Sequence, residues 1–75
     1  MMEHNQQLAV AEIERLAAET GSMLRGRVSD LRIELRGGGV VLFGIASSFY
    51  AKQLAQHAVM TGTALPIVRN EIEVT

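Results

Sequence analysis

The chain has 75 residues and no cysteine, with 48% apolar residues, 20% charged residues and a net charge of −1. It is therefore one small domain, and it lacks a disulfide framework, thiol chemistry and the composition of a disordered segment. The near-neutral charge disfavours nucleic-acid binding, which needs a basic excess to neutralise phosphates. No run approaches the roughly 18 consecutive apolar residues of a membrane span, and Met1–Gln7 is not a basic segment followed by an apolar one, so a cytoplasmic location is expected.

The spacing predicts a first helix over residues 5–20. Ala9, Ile13, Leu16 and Thr20 form one stripe, with Val10 and Ala17 at its edge. Glu12, Arg15 and Glu19 form a solvated side. Asn5 suits the N-cap and Gly21 the left-handed position after the last turn. Residues 22–30 read as a transition in which Met23 and Leu24 tuck under a sheet. Leu31-Arg32-Ile33-Glu34-Leu35-Arg36 then alternates strictly, which is a strand with one buried and one wet face.

Gly37-Gly38-Gly39 supplies a turn, and Val40 to Ala46 is an unbroken apolar run, so the pair reads as an antiparallel hairpin. Ser47 or Ser48 caps a second helix running to about Thr61. Its inner face holds Ala51, Leu54, Ala55 and Ala58, with Val59 at the edge, and Gly62 ends it. Pro66 introduces a last strand, Ile67 to Val74, in which Val68, Asn70, Ile72 and Val74 share a face. A right-handed crossover makes that strand parallel to the second one. The expected architecture is α+β, in the order αββαβ. It has a three-stranded mixed sheet, the apolar strand in the middle and both helices on one face. A single domain fills residues 1–75, with its core over about 8–74.

Three segments carry a family resemblance: Val40-x-Leu42-x-Gly44-x-Ala46-x-Ser48, a second helix with Ala55, and Val68-x-Asn70-x-Ile72-x-Val74. Together they resemble the BON domain, named for bacterial osmotically induced and nodulation proteins. Ala46 and Ala64-Leu65 stand where the family pattern has Val and Gly-Val. The resemblance implies the same αββαβ order. It also implies a bacterial, non-enzymatic binding module that touches protein partners or phospholipid membranes.

The residues themselves point away from catalysis, metals and cofactors. His4 and His57 have no Cys, Asp, Glu or second His at ligand spacing. Ser47, Ser48 and Thr61 have no base–acid pair to activate them. The triple glycine enters a strand, so it is not a Walker loop, and no Gly-x-x-Gly of a KH module is present. Gly44 reads as a packing position that lets Ala51 or Ala55 approach the sheet. No small-molecule substrate and no nucleic-acid partner are expected.

Two surfaces remain as candidates. If Val40, Leu42, Gly44 and Ala46 face the helices, then Val41, Phe43 and Ile45 face away. Arg32, Glu34 and Arg36 border them on one side, and Arg69, Glu71 and Glu73 on the other. An apolar stripe rimmed by charge marks an interface, and stacking of two such faces in a homodimer is the first expectation. The competing expectation is that the long charged side chains lie over the stripe. The second surface combines the basic segment Arg25, Arg27, Arg32 and Arg36 with Phe49 and Tyr50. The first expectation for it is ordinary solvated charge, since strand pairing supplies nearby acids; the competing one is contact with anionic phospholipid through Arg27, Arg32, Phe49 and Tyr50.

Overall fold

The computed structural model describes the backbone of residues 2–75 and the side chains of 9–75. Six elements follow one another: α1 (Met2–Met23), β1 (Val28–Arg36), β2 (Gly39–Ala46), α2 (Phe49–Gly62), β3 (Ile67–Asn70) and β4 (Glu73–Val74). The fold is α+β, with both helices packed on a mixed sheet. β2 lies in the middle, antiparallel to β1 and parallel to β3 and β4. The strand with the longest apolar run takes the position flanked on both edges, where the most side chain leaves water.

α1 buries the expected stripe. Ile13 and Thr20 are inside, and Leu16 and Ala17 are packed against the core. The helix ends are elsewhere than the residue types suggested. Backbone already helical from Met2 passes through Asn5, which therefore is no cap; its side chain lies outside the described residues, as does that of His4. Gly21 is inside α1, where a side chain would reach Leu31 at 3.9 Å. The left-handed glycine is Gly26, at φ +87° in the turn that follows. Leu24 tucks under the sheet as expected, but Met23 points into solvent. The supposed transition is partly strand, because β1 starts at Val28.

The hairpin turn is Gly37-Gly38 alone, with Arg36 opposite Gly39. Gly37 takes φ +60° and Gly38 is not left-handed, which is the pattern of a type II′ turn and suits the strand twist. Gly39 belongs to β2 and is buried. A Cβ there would sit 2.5 Å from the Pro66 carbonyl oxygen and 2.7 Å from Val68 Cγ2. Glycine is needed here because β3 approaches so closely.

Farther along the hairpin the register slips. Ser29 faces Ile45 and Arg32 faces Phe43, so Asp30 and Leu31 together oppose Gly44. This is a β-bulge, and Asp30 takes φ +56° in it, a region Asp tolerates better than most residues. The expected role of Gly44 is corrected here. A Cβ on Gly44 would meet Ser29 O at 3.1 Å and Leu31 Cα at 3.3 Å, in the bulge of β1. The glycine accommodates that bulge, not a helix.

α2 starts from Ser48, whose Oγ accepts a hydrogen bond from Ala51 N at 3.0 Å. This satisfies one of the free donors of the first turn. Ala51, Ala55 and Val59 are buried, while Leu54 and Ala58 are half-buried. The last strand is broken. Glu71 N donates to Leu42 O (2.8 Å) and Ile72 N donates to the Asn70 side-chain oxygen (3.1 Å). The Asn70 amide donates in turn to Gln56 of α2 at 3.0 Å. Asn70 thus ties the break to the helix. Ile72 drops into the core, whereas Val68 and Val74 are exposed, so these three do not share a face.

Candidate interaction surfaces

The sheet face away from the helices is not the open apolar stripe of the first expectation. Val41 is buried, at 3% exposure, and Phe43 is half-buried; Ile45 alone stays open at 40%. The register supplies the reason. Val41 lies between Glu34 on β1 and Arg69 on β3, and Phe43 lies opposite Arg32. The Arg32 and Arg36 guanidinium carbons sit 5.0 and 6.0 Å from the Phe43 ring centroid. Glu34 holds the two arginines together, with Arg36 at 2.6 Å and Arg32 at 3.7 Å. Arg69 and Glu71 pair on the other border at 3.4 Å. The charged heads stay wet while their stems and faces cover apolar surface. The covering expectation therefore describes Val41 and most of Phe43.

The second surface comes from the convergence of chain ends. β2 finishes at Ala46, and α2 starts three residues later. Ser47 N donates to Arg27 O at 2.8 Å, which places the turn before β1 beside this point. Val74 pairs with Ala46, and Thr75 N donates to Ala46 O at 3.0 Å. One end of the sheet therefore carries the end of α1, the 24–27 turn, the end of β2, the start of α2 and the end of β4.

That end holds most of the exposed apolar bulk. Eight large apolar side chains with described positions are exposed, and five of them belong to these element ends: Met23, Ile45, Phe49, Tyr50 and Val74. Phe49 and Tyr50 are each 63% exposed. Their neighbours in the chain explain why. Of the first turn of α2 only Ala51 reaches the core. Arg25 and Arg27 are exposed at the same end, and among the described residues neither takes part in an ion pair. The first turn of α2 has no acidic residue, so its N-terminal dipole adds to the positive field. The exposed carboxylates nearest along the strands are Asp30 at the bulge and Glu73 opposite Ile45.

The structure thus brings together Arg27, Phe49 and Tyr50 of the expected lipid contacts. It separates Arg32, which lies on the sheet face over Phe43. Met23 and Val74 had no signal of their own in the sequence: each was assigned to the interior, and only the chain path leaves them open.

Chemistry-bearing groups are scattered. His57 is exposed on α2, beside a shallow groove shared with Phe49, Lys52, Met60 and Asn70. Among the described residues no three His, Cys, Asp or Glu side chains group closely enough to hold a metal ion. A hollow of about 550 Å³ between α1 and residues 62–65 is lined by Glu12, Arg15 and Glu19 with aliphatic neighbours. No helix among the described residues is long and apolar enough to cross a membrane. Compared with protein-family models, curated proteins and solved structures, the chain matches none.

Proposed function

We propose that this domain is a non-enzymatic, BON-like binding module that docks onto an anionic phospholipid surface through the end built from the 24–27 turn, Ile45, the first turn of α2 and Val74. The observation that carries the reading is the concentration of Phe49, Tyr50, Ile45, Met23 and Val74 beside Arg25 and Arg27. Tyr50, with an apolar body and a polar tip, suits the headgroup level of a bilayer, and Phe49 adds apolar surface beside it. Each arginine near an anionic surface adds about 1 kcal/mol of attraction. The resemblance of the β2, α2 and β3–β4 segments to the BON pattern supports the same reading from the sequence side. A cytoplasmic-leaflet target fits the anionic requirement, because that surface carries the negative potential.

Co-sedimentation with vesicles tests it. The domain is expected to pellet with vesicles containing anionic lipid, less with purely zwitterionic ones, and less as salt rises. Arg25→Gln with Arg27→Gln should weaken binding roughly 30-fold, from two losses of about 1 kcal/mol. Phe49→Ala with Tyr50→Ala should weaken it on both vesicle types. Equal partitioning of wild type and these variants, or no binding to anionic vesicles at low salt, would reject the reading.

A further inference from the structure

β1 is an edge strand, and among the described residues nothing pairs with its outer edge. The hairpin closes with Arg36 opposite Gly39. In a two-residue hairpin that pair exchanges the narrow hydrogen bonds, so Arg36, Glu34 and Arg32 turn their backbone groups toward β2. Ile33 and Leu35, lying between them, turn theirs outward to the open edge. Edge strands of this kind template pairing unless charge, proline or bulges prevent it. Here the bulge disturbs only Asp30 and Leu31, and Arg32 to Arg36 is regular.

We propose that the occupant of this edge is a second copy of the same strand, paired antiparallel about a two-fold axis through Ile33. The sequence Asp30-Leu31-Arg32-Ile33-Glu34-Leu35-Arg36 is self-complementary in that register. Ile33 meets Ile33 of the second copy, Arg32 meets Glu34, Leu31 meets Leu35, and Arg36 lies toward Asp30. Every charge has an opposite charge across from it, and every apolar residue has an apolar one. Cross-strand pairs of this type stabilise a sheet, and like charges directly opposite destabilise it.

The neighbouring registers fail on charge. Centring the axis on Glu34 sets Glu34 against Glu34 and Arg32 against Arg36. Centring it on Arg32 sets Arg32 against Arg32 and Asp30 against Glu34. Registers offset by a single residue place the helix-bearing side of one copy beside the wet side of the other. The Ile33 register also matches the backbone, since the outward-facing residues oppose one another.

Glu34 is poised for the pairing. It grips Arg36 at 2.6 Å but holds Arg32 only at 3.7 Å, so Arg32 exchanges a long contact for the second copy's Glu34. An open groove of about 400 Å³ follows the edge, lined by Leu31, Arg32, Ile33 and Glu34 on the strand and by Glu14, Ala17 and Ala18 on α1. Half-buried Leu31 and Leu35 gain cover on the helix side. This dimer forms a continuous sheet with all helices on one face. It leaves the end that carries Phe49 and Tyr50 free, so it stands or falls independently of lipid binding.

The experiment is molar mass by light scattering over a micromolar-to-millimolar concentration series, with charge reversals at the edge. Wild type is expected to rise from 8.2 kDa to twice that mass. Arg32→Glu and Glu34→Arg each set like charges opposite, and each should remain at monomer mass. An equimolar mixture of the two variants restores opposite charges at both positions and should regain the dimer mass. In wild type the amide protons of Ile33 and Leu35 should exchange more slowly as concentration rises. The proposal is overturned by a wild type that stays monomeric throughout, by a dimer that the single reversals leave intact, or by reversals that the mixture does not rescue. The last two results would move self-association to another surface.

Discussion

Gly39→Ala and Gly38→Ala should act in opposite directions although the two glycines are neighbours in one hairpin. At Gly39 an added methyl would lie 2.5 Å from Pro66 O, 2.7 Å from Val68 Cγ2 and 3.3 Å from Pro66 Cγ. The first of these is backbone, and it accepts the Val40 N–H bond at 2.9 Å that begins the β2–β3 ladder. β3 must therefore move away, which weakens the parallel pairing and the seat of Ile67. Overpacking of this kind costs about 1–3 kcal/mol. A domain of this length has roughly 4–11 kcal/mol in total, at 0.05–0.15 kcal/mol per residue. A 2 kcal/mol loss lowers Tm by roughly 8–16 °C, at 4–8 °C per kcal/mol. At Gly38 nothing lies within 4 Å and the φ is not left-handed. Alanine there restricts the unfolded chain and should stabilise by about 0.4–1 kcal/mol. Urea unfolding with equal m-values for wild type and both variants measures the two differences directly. If Gly39→Ala is neutral, or both substitutions shift stability alike, the close approach of β3 is not what requires glycine at this position.

Three further outcomes follow from the packing. Val41→Ala should cost roughly 1.5–3 kcal/mol in urea unfolding, as expected for a covered side chain; a loss near zero would return Val41 to the exposed stripe. Ser48→Ala should cost about 1 kcal/mol by removing the cap on Ala51 N, with faster exchange of the Ala51 amide as the local readout. Asp30→Val places a β-branched residue at φ +56° and should destabilise the hairpin, whereas Asp30→Gly should be tolerated; equal stability of the two variants would contradict the left-handed bulge.

Much of the fold was legible along the chain. The alternation of Leu31 to Arg36 and the continuous run of Val40 to Ala46 carried strand identity, pairing and which strand is central. The spacing of Ala51 and Ala55 carried the inner side of α2, but its centre is turned toward Val59, expected at the edge, and away from Leu54 and Ala58, which are half-buried. These signals are readable because side-chain period and burial are set by local geometry: every second strand residue, every third or fourth helix residue. The charge order of β1, on which its self-complementarity rests, is likewise readable directly along the chain.

Features that depend on residues distant in the chain appear only once the elements are packed. Whether Val41 is surface or core depended on how Glu34 and Arg69 flank it, and sequence spacing carries no information on where long side chains lie. Gly21, Gly39 and Gly44 look alike as glycines. One lies inside a helix, one yields to β3 and one to a bulge, because the need for a missing Cβ comes from a neighbour's backbone. Met23, Phe49, Tyr50 and Val74 come from three separate stretches of the chain, and they form one end of the molecule only because β1, β2 and β4 are paired in this register. Local chemistry selects the elements; the register that closes the sheet selects which of their ends meet.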